Sequence, residues 1–311
     1  MLRAAILAGI VLWFSAHAYA QEPRPNVLDP SYRHDRYGTE PKDIMREFRA
    51  FITSFDSDDD DDGDGEPDIL AIPHWVAQEV RRAEQAPESN QRPQKWFSDK
   101  ELVERGLAPT DASYAYSKTF RDKNPNWFDR GHLAQKYLAE RMGADAAWNT
   151  HTVLNAVPQR SRFNSGIWLD MECKTGAWAN RFGVVWIVTG PIFLSGAPNR
   201  WIGETSKGEL PVAVPDALFK IVIREIPESP SIDVLAFVYP QDHPSYAKRP
   251  WNHAAWLTTV DKIERLTGLD FLATLPKEAQ QKLERRKAKT LWPYKAGDFD
   301  PGCKSFAKDS E

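Results

Sequence analysis

Hydrophobic positions along the body of the chain predict several buried strands. Segment 183–193, GVVWIVTGPIF, is a continuous apolar run that ends at a Gly-Pro turn, as expected for a buried strand. Apolar and polar residues alternate in 217–225, ALFKIVIRE, which is typical of a half-buried strand, and 231–240 is another apolar strand that ends at Pro240. Segment 44–55, IMREFRAFITSF, has apolar residues at both helical and strand-like spacings, so its type stays open.

Apolar residues at helical spacing predict five helices, at 73–85, 133–141, 162–180, 254–266 and 275–290. Pro73 stands near the start of the first helix, where a missing N–H is tolerated. The last helix is heavily charged and is expected to be exposed. The elements follow each other without regular βαβ alternation or internal repeats. The pattern therefore predicts an α+β domain around an antiparallel or mixed sheet with packed helices.

The first 20 residues have the features of a secretory signal peptide. They contain an early Arg3, an apolar run through Phe14 and a small-x-small ending at Ala20. The apolar run is shorter than the roughly 20 residues that a membrane-spanning helix needs. No later segment is long and apolar enough to span a bilayer. We therefore expect an exported protein, periplasmic or secreted, without stable membrane association.

The polar, Pro-containing segment 86–94 predicts a linker, which places a domain boundary near residue 95. The predicted organisation is a signal peptide at 1–20, an N-terminal extension at 21–94, a main domain at 95–295 and a C-terminal tail at 296–311.

The chain has two cysteines, Cys173 and Cys303. An exported protein seldom keeps idle thiols, so we expect a disulfide bond that ties the C-terminal tail to the body. Two unrelated free thiols are the alternative.

Residues 56–68 carry nine carboxylates and no basic residue, so the formal charge of −4 becomes about +5 without them. Within this run, segment 60–68 spaces its carboxylates as in a calcium loop, with Gly65 at the sharp turn. Ala71 stands where an EF-hand has a bidentate Glu, so the segment looks more like the short Asp-rich repeats of thrombospondin-type and dockerin modules. We expect a structural Ca²⁺ site, with a solvated acidic tether as the alternative. The expected ligands are Asp60, Asp62, Asp64 and Asp68.

Two polar segments stand out as candidate chemistry. The run Asp-Arg-Gly-His at 129–132 has three ionisable side chains in four residues, which are rarely buried unless paired. It is either a solvated turn or a site. Segment 149–174 follows with a dense polar set beside apolar residues, which suggests one packed face and another that faces a charged group. Its polar members are Asn155, Arg160, Arg162, Asn164 and Glu172.

Together these motifs resemble those of the DNA/RNA non-specific endonucleases, the ββα-metal nucleases that include secreted bacterial enzymes and mitochondrial endonuclease G. The resemblance rests on DRGH, on NAVPQ and FNSG within 155–166, on Glu172 eight residues after Asn164, and on the strand at 184–193. It covers roughly residues 95–277. DRGH alone would be a weak signal, whereas the motifs in this order are specific. The resemblance implies the ββα-metal fold and cleavage of DNA and RNA with Mg²⁺ or Mn²⁺, leaving 5′-phosphate ends.

The resemblance also implies roles for five residues. His132 matches the general base, and imidazole suits proton abstraction near neutral pH. Asn164 matches the protein ligand of Mg²⁺, an ion that keeps several waters. Arg130 would supply positive charge to the phosphate, and Asn155 would orient the site. Glu172 lies about 12 Å beyond Asn164 along a straight helix, so it is expected to act on the ion through water.

Further basic residues are candidates for contacting the substrate. The family usually has another arginine upstream of DRGH, and here Arg121 or Lys118 is available, with no basis for a choice. Arg160 and Arg162 flank the expected metal helix, either as clamps on the phosphate backbone or as ordinary solvated residues. No base-reading motif is visible, so little sequence preference is expected.

Two other functions stay open. A catalytically inactive, calcium-stabilised extracellular protein would bind nucleic acid without cutting it, although the presence of His132, Asn164 and Glu172 favours an enzyme. A phosphodiesterase acting on smaller substrates would use the same chemistry in a narrower cleft. The residues indicate neither an inhibitor protein nor an oligomeric state.

Overall fold

The computed structural model of the protein describes residues 22–39, 41–57, 68–84, 92–114, 127–229 and 231–307. Several sequence-based expectations lie outside these ranges. They are the signal peptide, most of the linker at 86–94, the calcium ligands Asp60, Asp62 and Asp64, and the two upstream candidates Lys118 and Arg121.

The strands are β1 (Ile44–Phe48), β2 (Phe51–Phe55), β3 (Pro73–Arg81), β4 (Phe128–His132), β5 (Ala156–Arg160), β6 (Val184–Ile192), β7 (Trp201–Ile202), β8 (Val212–Ala213), β9 (Ala217–Glu225), β10 (Ile232–Pro240) and β11 (Leu257–Thr258). The α-helices are α1 (Lys100–Glu104), α2 (Lys136–Ala139), α3 (Ala144–Asn149), α4 (Ser161–Phe163), α5 (Leu169–Phe182), α6 (Val260–Thr267), α7 (Lys277–Glu284) and α8 (Lys304–Ala307). None of these helices is long and apolar enough to cross a bilayer.

Seven strands form one sheet in the order β1-β2-β3-β6-β9-β10-β11, and each neighbouring pair is antiparallel. The predicted α+β class with a central antiparallel sheet is confirmed. Helix α5 packs on one face of the sheet and α6 on the other. Strand β9 was expected to be half-buried, but it is buried on both faces, and even Lys220 is inaccessible. This lysine has a role at the site described below.

The predicted helix at 73–85 is wrong, because Pro73–Arg81 forms strand β3. The strand lies between β2 and β6, and core clusters cover both faces of the sheet at this strand. Trp75 and Ala77 pack on one side, whereas Val76 and Val80 pack on the other. An apolar run covered on both faces has no clear period of two, and such a strand is easily read as a helix.

The boundary near residue 95 does not separate two folding units. Strands β1 to β3, from the expected extension at 21–94, form the first three strands of the central sheet, and β3 pairs directly with β6. Segment 44–55, whose type was open, is the β1–β2 hairpin. The main domain therefore begins well before residue 95, because its sheet requires these strands.

The C-terminal tail is packed against the body, as the cysteines predicted. Cys173 on α5 and Cys303 form a disulfide bond. Phe299 and Phe306 are buried around it. Asp300 adds an ion pair to Arg141, with 2.6 Å between Oδ2 and Nη2. The tail at 296–311 is thus integral to the fold through residue 307.

Other helix predictions are correct in type but not in length. The helix at 133–141 shortens to α2 and a 3₁₀ turn, and the helix at 275–290 shortens to Lys277–Glu284. The helix at 254–266 divides into a 3₁₀ turn, strand β11 and α6. The helix at 162–180 is present but interrupted, and this interruption shapes the site.

Candidate active site

The site is built on a ββα unit. Strands β4 and β5 form an antiparallel pair in which His132 lies opposite Ala156, and α4 and α5 follow β5. Gly131 allows the two strands to lie this close, because a β-carbon at this position would collide with the Gln159 side chain. The unit sets the DRGH strand beside the start of the helical segment.

A cleft of about 510 Å³ opens over this unit. Four of the residues expected at the site line it together, and they come from strand β4, the turn at Asn164 and helix α5. They are Arg130, His132, Asn164 and Glu172.

His132 stands in the cleft wall between two aromatic rings. Its ring centroid is 4.4 Å from that of Trp96 and 4.9 Å from that of His151. Nε2 is buried and has no hydrogen-bond partner within the described ranges, so Nδ1 is the nitrogen available to a substrate. Burial first, and then the nearby basic groups including Arg92 and Lys136, hold the pKa of His132 well below its ordinary value of 6.5. The imidazole is therefore neutral and able to accept a proton.

Asn164 is held in one orientation by Asp129. The Asn164 Nδ2 atom donates to Asp129 Oδ2 at 3.2 Å, and the Ser161 hydroxyl donates to Oδ1 of the same carboxylate at 2.8 Å. Because its nitrogen is engaged by Asp129, Asn164 is left with Oδ1 as the atom that can bind a cation.

Asn164 and Glu172 do not lie on one straight helix, contrary to the expectation. A π-helical turn spans Asn164–Trp168, and Gly166 within it has a non-helical backbone with φ −106° and ψ −115°. Helix α5 starts only after this break, at Leu169. The 12 Å rise worked out for a straight helix does not apply, and both side chains line the same cleft.

Glu172 is a buried carboxyl group opposite a buried lysine. Burial raises the pKa of Glu172 to about 8, while the Lys220 ammonium and the Gln135 side chain act in the opposite direction. Burial likewise lowers the pKa of Lys220 to about 8, against the effect of Glu172. The Lys220 Nζ atom lies 3.1 Å from Thr189 Oγ1 and 4.3 Å from the ring centroid of Trp168. Among the charged groups that act on Glu172, Lys220 has the largest effect in favour of the carboxylate form.

The donor set suits a hard divalent cation. Asn164 offers an amide oxygen and Glu172 a carboxyl group, which a bound cation would draw towards its ionised form, and the cleft also contains the Asp129 carboxylate. Mg²⁺ and Mn²⁺ prefer such oxygen donors, and Mg²⁺ often takes only one or two groups from the protein. The residues present therefore fit the ion that the motifs implied.

Two further groups of possible metal ligands occur among the described residues, away from the cleft. Their ligand atoms lie within 4.8 Å of one another in each group. One consists of Asp43, Asp56 and His74, and the other of Asp261, Glu264 and Glu284. Asp56 opens the acidic segment 56–68, so the first group lies at the base of that segment.

Asn155 is a positioning residue and does not line the cleft. It is fully buried, and its Oδ1 accepts from the Ala134 amide at 2.7 Å. Its Nδ2 donates to the carbonyls of Ala134 and Thr150, both at 2.9 Å. Both polar atoms of its side chain bond to the backbone of Ala134 and Thr150, and Ala134 lies two residues after His132, so the contacts fit the expected orienting role.

The expected arginines occupy different places. Arg130 lines the cleft and is paired with Asp111. Arg160 and Arg162 line an adjoining pocket beside α4 instead of the cleft.

Sequence reasoning missed several residues of the cleft. Arg92 lies there, although its segment was interpreted as a linker, and its positive charge acts on His132, His151 and Glu172. His151 packs against His132, and burial lowers its own pKa to about 4. A second histidine within the motif-bearing segment 149–174 was a usable signal, whereas nothing local marked Arg92.

Comparisons with known proteins agree with this geometry. The family model described as DNA/RNA non-specific endonuclease matches residues 64–278, including part of the region before residue 95. The chain is 28% identical over 217 residues to the nuclease of Serratia marcescens, which covers 68% of this chain and 73% of that protein. It is 24% identical to the mitochondrial nuclease of Saccharomyces cerevisiae, over 85% of this chain and 78% of that protein.

The fold also matches a solved structure, a chain of the EndoG/EndoGI inhibition complex. The TM-score is 0.59 at 20% sequence identity, over 79% of this chain and 92% of that one. The ββα-metal nuclease fold inferred from the motifs is confirmed. With the family model matching well over half of its length, the chain belongs to the DNA/RNA non-specific endonuclease family.

Proposed function

We propose that this protein is an exported, Mg²⁺-dependent endonuclease that hydrolyses phosphodiester bonds in DNA and RNA with little sequence preference. One observation carries the proposal. A neutral imidazole, His132, lines the same cleft as the fixed amide oxygen of Asn164, although 32 positions separate them in the chain. Membership of a non-specific nuclease family supports the reaction class.

The residues of the chain have separate tasks in this reaction. His132 takes a proton at Nδ1 from the attacking water, which its lowered pKa favours because the ring is neutral beforehand. Arg130 and Arg92 face the cleft and stabilise negative charge that builds on the phosphate. Asn155 keeps His132 in place through the backbone of the next turn.

Asn164 would hold the ion directly, and Glu172 would act through water from deeper in the cleft. When bound, Mg²⁺ would polarise the phosphate and stabilise the leaving 3′ oxygen, and departure of that oxygen gives 5′-phosphate and 3′-hydroxyl ends. The cleft residues recognise phosphate, so they supply no means of reading bases.

The test is plasmid digestion with and without a chelator, comparing the protein with its His132→Ala variant. Loss of a general base predicts a fall in rate of about 100-fold or more. An unchanged rate in the variant would remove His132 from its assigned role, and unchanged digestion with chelator would exclude a metal. Persistent binding without turnover in the unaltered protein would favour the inactive nucleic-acid-binding alternative instead.

A structural Ca²⁺ ion bound by Asp60, Asp62, Asp64 and Asp68 is part of the proposal. The spacing of the carboxylates in segment 60–68 supports it. Thermal melting with Ca²⁺ and with a chelator tests the idea. We expect a higher melting temperature with the ion, and identical curves would refute it.

A further inference from the structure

A second pocket, of about 270 Å³, lies directly beside the catalytic cleft. Its wall includes Arg160, Arg162, His243 and Tyr246. Ser161 joins the two cavities, because it lines this pocket while its hydroxyl bonds Asp129 in the cleft. The pocket therefore lies next to the Asn164 end of the cleft.

The pocket has a positive rim. Arg162 is exposed, and Arg160 is held with its guanidinium carbon 4.7 Å from the ring centroid of Phe128. The opposing acid is Asp242, whose Oδ2 lies 4.0 Å from Arg160 Nη2, but its side chain is 83% exposed and therefore well screened by solvent. The exposed Arg162 and the neighbouring Arg160 give the rim positive charge, which favours an anionic ligand.

The remaining wall is aromatic. The Tyr246 ring packs near Phe163, His243 and Trp256, with centroid distances of 5.8, 5.6 and 5.5 Å. His243 is exposed, so a face or edge of its ring is open to a ligand. Tyr246 is only 3% exposed, and its hydroxyl has no hydrogen-bond partner in the part of the chain that the structure describes. Buried hydroxyl groups are nearly always bonded, so this wall lacks a group that the chain itself does not provide.

We propose that the pocket binds one unpaired nucleotide adjacent to the scissile phosphate. Its base stacks on His243 beside Tyr246, and its phosphate contacts Arg160 and Arg162. Aromatic rings interleaved with arginines are the usual means of holding single-stranded nucleic acid without reading its sequence. The inference rests on the proposed function and adds to it a subsite that is used when the substrate strand is unpaired.

The first test compares two substrates. One is a single-stranded DNA of about 12 nucleotides, and the other is bis(p-nitrophenyl) phosphate, which has no nucleotide to occupy the pocket. His243→Ala and Arg162→Ala should each lower kcat/KM on the oligonucleotide by about 10-fold and leave the small ester unchanged. His243→Asn keeps a polar cap for the following turn, which separates loss of stacking from local unfolding. It should behave like the alanine variant.

The second test measures binding of the same oligonucleotide in chelator, where cleavage is absent. Removing one phosphate contact with Arg162→Ala should reduce the slope of log affinity against log salt by about 0.7. Arg265→Ala, which removes an exposed charge on α6, is the matched control and should not change the slope. Tyr246→Phe should weaken binding without lowering the melting temperature.

The outcomes separate this inference from the proposed function. If His132→Ala abolishes both activities while the pocket variants affect neither substrate, the subsite is refuted and the nuclease assignment stands. An equal loss on both substrates in the pocket variants would also refute a separate subsite. If His132→Ala leaves both activities intact, the proposed function itself fails.

Discussion

Removal of the disulfide bond should destabilise the protein by an amount that depends on the length of the loop that the bond closes. Cys173 and Cys303 are 130 residues apart, so the bond closes a long loop in the unfolded chain. The loop-entropy relation gives about 5 kcal/mol for a loop of this length as an upper value. For a folded chain of this size, that corresponds to a fall in melting temperature of about 8 °C.

The assay is calorimetric melting of the double variant Cys173→Ser, Cys303→Ser beside the unaltered protein. The unaltered protein in reductant is the matched control, and its melting temperature should equal that of the double variant. The C-terminal residues around Phe299 and Phe306 should become susceptible to protease first, because the bond holds them against α5. A double variant that melts within 1 °C of the oxidised protein, against the shift of about 8 °C expected, would refute the reasoning.

Three further predictions concern the site. Because the pKa of His132 is lowered, its neutral form persists into mild acid. The log kcat/KM should therefore stay constant down to pH 6.5 and fall only below it. An acidic limb of the pH profile centred above pH 6.5 would contradict this. Lys220→Met removes the ammonium group that favours the carboxylate form of Glu172, so the free energy of unfolding in urea should fall at pH 8. The cost should shrink near pH 5, where burial keeps Glu172 protonated, and equal losses at both pH values would contradict this. Gly131→Ala should lower stability by about 1–3 kcal/mol through collision with Gln159, and an unchanged melting curve would contradict this.

The site was partly predictable because its chemistry is local in the sequence. DRGH and the segment from Asn155 to Glu172 place most of the polar groups within two short stretches. Their convergence depends on the β4–β5 pairing, which motifs imply but periodicity does not show. Arg92 was not predicted, because a single arginine in a polar, Pro-containing segment looks like a linker residue. Only the folded chain places it in the cleft.

The fold was predictable where one face of an element is exposed or where a turn signal ends it. Strands β6, β9 and β10 fall where the apolar runs placed them. Strand β3 was predicted as a helix because core residues cover both of its faces, so its apolar residues show no clear alternation, and that cover depends on the tertiary fold. The pairing of β3 with β6 explains the misplaced boundary near residue 95, since composition does not reveal that the first three strands belong to the later sheet.

In the proposed mechanism, Asn164 holds the ion whereas His132 performs the proton transfer beside it. Mn²⁺ binding, measured by calorimetry on the unaltered protein and on the Asn164→Ala and His132→Ala variants, tests this division most directly. Asn164→Ala should weaken Mn²⁺ binding by at least about 10-fold, whereas His132→Ala should bind Mn²⁺ normally and should not cleave DNA. Equal Mn²⁺ affinity in all three proteins, or loss of the ion only in His132→Ala, would contradict it.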